Sequence, residues 1–72
     1  MKREKVMITT PFIKLDSFLK LSGAVSTGGE AKGIILEGNV KVNDEVCLMR
    51  GKKLVAGDQV IVYSVCYEVS PA

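Results

Sequence analysis

The sequence has no histidine and no tryptophan, only two cysteines, and few aromatic residues of any kind. Without histidine the chain lacks the commonest general base, proton shuttle and metal ligand at neutral pH, and most acid–base enzymology goes with it. Cys47 and Cys66 are too few for a four-ligand zinc site, and a small secreted disulfide scaffold usually carries four to eight. Both are expected to be buried small apolar residues in a reducing cytosol, with no metal and no cofactor. Long hydrophobic runs are missing as well. No stretch approaches the roughly twenty apolar residues that a transmembrane helix needs, so no membrane partner is expected. Met1 to Lys5 has the charge of a signal-peptide n-region, but only Val6, Met7 and Ile8 follow before Thr9 and Thr10. A secretory or transit segment is not expected, and the implied location is cytoplasmic.

What remains is a 72-residue chain, 47% hydrophobic and 25% charged, which has room for one compact domain. Chains near this length bury only about 60% of the surface they expose when unfolded, so a large buried catalytic pocket is not expected. Ten Lys and Arg stand against eight Asp and Glu, a net charge of +2. That balance is far from a bulk polycation. Binding to a polyanion must therefore come from a local patch.

Along the chain, residues 1–5 are charged and expected to fray, and Val6 to Ile13 mixes β-branched and aromatic residues around Pro11, as an edge strand or extended arm does. Leu15, Phe18, Leu19 and Ser22 then share one helical face. Asp16 and Lys20 lie opposite as an i,i+4 pair, and Gly23 ends the helix. Thr27 followed by Glu30 three residues later is a capping box, and Ala31, Ile34 and Ile35 form an apolar face up to Gly38. Helices this short hold only by packing on each other and on a sheet. The rest of the chain supplies one. Val40 and Val42 alternate with Lys41, Asn43-Asp44 turns the chain, and Val46 and Leu48 continue beyond it. Because Asn and Asp tolerate positive φ less well than Gly, the turn is expected to be longer than two residues or of a type other than I′. Leu54 and Val55, a turn at Ala56-Gly57-Asp58, and a valine-rich hairpin from Val60 to Val69 complete the pattern. The expected fold is α+β: two short N-terminal helices packed on an antiparallel sheet of about four to five short strands. Residues 1–13 form the arm or edge strand and 14–69 the domain.

No catalytic constellation is present. Gly23 and Gly28 are spaced as in the start of a P-loop, but Gly29 and Glu30 follow where Lys and Ser or Thr must stand. The serines have no histidine to activate them, and Glu30 and Glu37 read as a cap and a solvated face. Gly28 and Gly29 either admit a phosphate to the free amides of a helix N-terminus or merely shape the turn, with Lys32 on the same helix. Arg50-Gly51-Lys52-Lys53 holds three cations in four residues. Such a loop is ordinary soluble surface unless a second cationic site joins it, when it becomes a phosphate-backbone contact. Tyr63, Tyr67 and the two phenylalanines are too few and too core-like for a stacking platform, so recognition of backbone shape is expected.

Several of these residues fall in a known order. Lys14-Leu15-Asp16, Leu19, Gly23, Ala31, Ile35, Gly38-Asn39-Val40-Lys41-Val42-Asn43, and Gly57-Asp58 before Val60 together resemble the RNA-binding domain named after ribosomal small-subunit protein S-four, the alpha-L motif. The Gly28-Gly29-Glu30-Ala31-Lys32 and Arg50-Gly51-Lys52-Lys53-Leu54 segments resemble its small stand-alone YaaA-like and YbcJ-like branch. The resemblance implies a non-catalytic module that binds structured RNA, ribosomal RNA or tRNA, in association with a ribosomal subunit. Carried over by position, Lys14, Gly28, Gly29, Lys32, Arg50, Lys52 and Lys53 would line the RNA-binding surface. Two departures stand out. Lys14 replaces a common Arg, losing its bidentate fork, and Gly28-Gly29 replaces a Ser-Arg pair. The alternative is a protein-interaction module, because Gly57-Asp58-Gln59-Val60-Ile61 also resembles the end of small β-grasp sulfur carriers. Those carriers end in Gly-Gly, whereas this sequence ends Ser70-Pro71-Ala72.

Overall fold

A computed structural model describes residues 1–71. Strand β1 (Lys2–Ile8) and the two-residue β2 (Ile13–Lys14) precede helices α1 (Leu15–Leu21) and α2 (Gly28–Leu36). Then come β3 (Val40–Val42), β4 (Glu45–Val46), β5 (Lys53–Leu54), β6 (Gln59–Val62) and β7 (Val65–Pro71). Five strands form one sheet in the order β1-β7-β6-β3-β4, and β2 pairs with β5 in a second, two-stranded ribbon. The α+β class holds, with three corrections. The helices are not N-terminal, because β1 and β2 come before them in the chain. The main sheet is mixed rather than antiparallel, because β1 runs parallel to β7 from Lys2↔Val65 to Ile8↔Pro71. The N-terminal residues are not frayed either. Lys2 to Lys5 lie in that ladder, where main-chain pairing orders the backbone while most of their charged side chains stay in water.

Period-two alternation decides which sheet face is covered. Val6 and Ile8 of β1, Val40 and Val42 of β3, Val60 and Val62 of β6, and Tyr67 and Val69 of β7 belong to or pack on one core. Leu15, Phe18 and Leu19 of α1 and Ala31, Ile34 and Ile35 of α2 complete it. Phe18 meets Tyr67 edge to face, with ring centroids 6.5 Å apart. Each fully buried residue of this size contributes about 1.5–3 kcal/mol, which holds helices too short to stand alone. Leu54 is completely buried in the same core, so its neighbour on β5, Lys53, must face out.

The β3–β4 turn departs from expectation. Asn43 and Asp44 both take positive φ, 51° and 70°, as the two central residues of a type I′ turn require, and the pairing Val42↔Glu45 leaves only those two in the loop. A side-chain network supports the strain. Asn43 Oδ1 accepts from the Gln59 N–H at 3.0 Å, and Asn43 Nδ2 donates to Asp58 Oδ1 at 3.2 Å. Asp58 Oδ2 in turn accepts from the Val55 N–H at 2.9 Å. Asn43 and Asp58 thus tie the β3–β4 turn to the turn that follows β5. The expected Asp16–Lys20 pair does not form; Asp16 Oδ1 accepts from the Ser17 N–H instead. Among the described residues no helix is long and apolar enough to cross a membrane.

Candidate nucleic-acid interface

Helix α1 begins without a side-chain cap, since its N-cap residue is Lys14. The first amides of a helix have no partner inside it and must find one elsewhere. Here the partners come from the basic loop: Leu15 N–H donates to the Lys52 carbonyl at 2.9 Å and Asp16 N–H to the Arg50 carbonyl at 3.0 Å. The loop closes on itself through Lys52 N–H to the Met49 carbonyl, 3.1 Å. With their carbonyls turned toward α1, Arg50 and Lys52 keep their side chains exposed.

The β2–β5 ribbon adds two more cations. Its register sets Ile13 opposite Leu54, and therefore Lys14 directly opposite Lys53. Like charges in directly opposed positions destabilise a ladder, so this pairing is a local cost to the fold. Lys53 Nζ lies 4.8 Å from the centroid of the Phe12 ring, a cation–π contact. Phe12 is 40% exposed and Tyr63 67% exposed, which corrects the expectation that both are core residues; Phe18 and Tyr67 are. Phe12 is a member of this surface that sequence reasoning missed. Its apolar type and its place in an extended stretch gave no sign of the lysine opposite.

Four of the seven predicted site residues are thus gathered by main-chain bonds: Lys14, Arg50, Lys52 and Lys53. Among the described residues none of them forms an ion pair; the one salt bridge joins Lys2 to Glu4. The remaining three sit on α2. Gly28 and Gly29 are exposed in its first turn and Lys32 is exposed in its second, and no hydrogen bond joins them to the other four. The capping box forms largely as expected. Glu30 N–H donates to Thr27 Oγ1 at 3.1 Å, while the Glu30 carboxylate accepts from Ser26 N–H at 2.7 Å. That carboxylate places a negative group beside the helix start, where an incoming phosphate would have to sit. A Cβ built on Gly28 meets nothing within 4 Å, and one on Gly29 only Thr27 Oγ1 at 4.0 Å, so packing does not require either glycine.

Cys66 is buried as expected, but Cys47 is half-exposed; both are free thiols. Among the described residues no three His, Cys, Asp or Glu come together to hold a metal ion.

The family follows from comparison with known proteins. The S4 domain model matches residues 6–70. The chain belongs to the S4 domain family. Over 55 residues, 76% of this chain and 78% of the other, it is 46% identical to Probable ribosome maturation protein RlbA of Bacillus subtilis (strain 168). It also superposes on the solution structure of YbcJ from E. coli, whose alpha-L motif is involved in RNA binding, with a TM-score of 0.71 and 33% identity. That match covers 92% of this chain and 85% of YbcJ. The resemblance seen in the ordered motif residues therefore holds at the level of family and fold. Asn43 and Asp58, two residues of that ordered motif, link the β3–β4 turn to the turn after β5.

Proposed function

We propose that this S4 domain binds structured RNA in the cytoplasm without catalysing a reaction on it, using the surface formed by Lys14, Arg50, Lys52 and Lys53. The observation that carries the reading is the β2–β5 ribbon and its loop. Two lysines stand directly opposed, two further cations are pinned beside them by the α1 amides, and among the described residues no carboxylate pairs with any of the four. A fold keeps such an arrangement at a cost that bound phosphates offset. Arg50 supplies a planar fork for a phosphate, and the lysines supply point charges. Lys32, with the Gly28 and Gly29 amides, extends the surface along α2 as its weaker arm, because the Glu30 carboxylate competes there. Contacts of this kind read the spacing of phosphates on folded RNA rather than base identity.

The name borne by the Bacillus subtilis relative favours ribosomal RNA, and an assembling ribosomal subunit, over tRNA as the partner. The test is a salt titration of RNA binding by gel shift. About five phosphate contacts give a log–log slope near −3 to −5, and replacing Arg50, Lys52 and Lys53 together by Ala flattens it by about 2 to 3. An unchanged slope in the triple variant rules out this surface as the RNA contact.

A further inference from the structure

Beside the basic loop the β3–β4 hairpin and residues 46–49 enclose an open cleft of about 400 Å3, lined in part by Glu45, Val46, Leu48, Met49 and Lys52. Its volume falls in the range that small-molecule sites use. Three of its apolar side chains are left in water: Val46 is 54% exposed, Leu48 55% and Met49 66%. The cleft and the cation surface share a residue, Lys52, which lines the cleft and whose carbonyl accepts from the Leu15 N–H of α1.

We propose that a nucleobase turned out of the bound RNA occupies this cleft, so that the protein selects folded RNA carrying an unpaired nucleotide. The proposal rests on RNA binding by the basic loop and adds to it a preference that phosphate contacts alone do not give. A nucleotide matches the cleft at both ends. Its phosphate meets Lys52, with Arg50 two residues before it in the loop, and its flat apolar faces meet Val46, Leu48 and the Met49 thioether, a group that contacts aromatic rings favourably. Glu45 lines the same cleft, and a carboxylate there can accept from an exocyclic amino group. Asn43 forms part of the wall, its side-chain amide held in place by Gln59 and Asp58. An apolar protein side chain would cover the same three residues but bring no phosphate to Lys52 and to the exposed Arg50 of the same loop, which is why the nucleobase is the favoured occupant. The scarcity of aromatic residues pointed to recognition of backbone alone. An aliphatic and thioether cleft removes the need for an aromatic platform.

The test measures binding to three RNAs by fluorescence anisotropy: a fully paired hairpin, the same hairpin with one bulged nucleotide, and that bulge made abasic. The abasic form keeps the phosphate and the backbone distortion and removes only the base. The bulge is made with each of the four bases in turn. The expected result is that at least one bulged base binds about fivefold more tightly than its abasic counterpart, the low end of what a stacked base contributes on an aromatic platform. The double variant Leu48→Ser, Met49→Ser should lose this difference and keep its affinity for the paired hairpin; both positions are exposed, so folding is not at stake. Equal binding of every bulged base and its abasic form by the unmodified protein overturns the proposal and leaves the basic surface standing. Failure of all the hairpins to bind at low salt overturns the RNA reading itself, and the proposal with it.

Discussion

The two helices of this domain begin in opposite ways. The start of α2 is closed by its own neighbours, with Thr27 receiving the Glu30 amide and the Glu30 carboxylate reaching back to Ser26. The start of α1 is closed by carbonyls of Arg50 and Lys52, brought from the far side of the sequence. Both solutions satisfy the same requirement for partnering the first helical amides. They differ in what they do for function. A local cap fixes one helix end. A cap supplied by a distant loop also holds that loop in place, and here the loop carries the cations. The step that completes α1 is thus the step that builds the proposed RNA surface.

The largest effect should come from breaking the distant cap through the core. Leu54 is fully buried and holds β5, with the loop before it, against the helices. Leu54→Ala should cost about 2–5 kcal/mol in denaturant unfolding. In amide exchange, Leu15 and Asp16 should lose protection ahead of Ala31; equal protection would mean that the loop carbonyls do not hold α1.

Removing the local cap should do less and do it elsewhere. Thr27→Ala should cost about 1 kcal/mol, with faster exchange at Glu30 and no change in RNA affinity at fixed salt beyond what lost stability explains. A loss of affinity as large as that of the Arg50, Lys52 and Lys53 variant would show that the α2 start, not the loop, is the main contact.

That difference also marks what could be read in advance. The Thr27–Glu30 spacing, the apolar face of α2 and the Val-rich alternation of β6 and β7 are short-range patterns, and each appears in the structure with nearly the expected bounds. The α1 cap leaves no such trace, because a backbone carbonyl belongs to every residue and Arg50 or Lys52 announces only its side chain. The Asn43–Asp58 bond, spanning 15 residues, is equally silent. It braces Asn43, one of the two non-glycine residues that hold positive φ in this two-residue turn, against the propensity argument that pointed to another turn type. Of the site, the cations were visible as residues; that Lys14 faces Lys53 and that Phe12 lies beside them was not.

The smallest effect separates the two readings of the glycine pair. Neither Gly28 nor Gly29 is required by packing, so Gly28→Ala and Gly29→Ala should each stabilise the fold by about 0.4–1 kcal/mol, by restricting the unfolded chain. If their amides receive phosphate, the same variants should weaken RNA binding while raising thermal stability. Unaltered affinity with raised stability would confine the surface to the four cations held by α1, β2 and the basic loop.

The amino-acid order alone settled the α+β class, both helices, the local cap of α2 and the concentration of charge in residues 50–53. Each of these depends on side-chain type and on spacing within a few residues, where periodicity and propensity act. Tertiary structure decided the parallel partner of β1, the tight turn at Asn43-Asp44 and the convergence of Lys14 with Arg50, Lys52 and Lys53. Those features depend on main-chain groups that are the same in every residue, and their pairing is chosen only when the core brings distant segments within hydrogen-bonding reach.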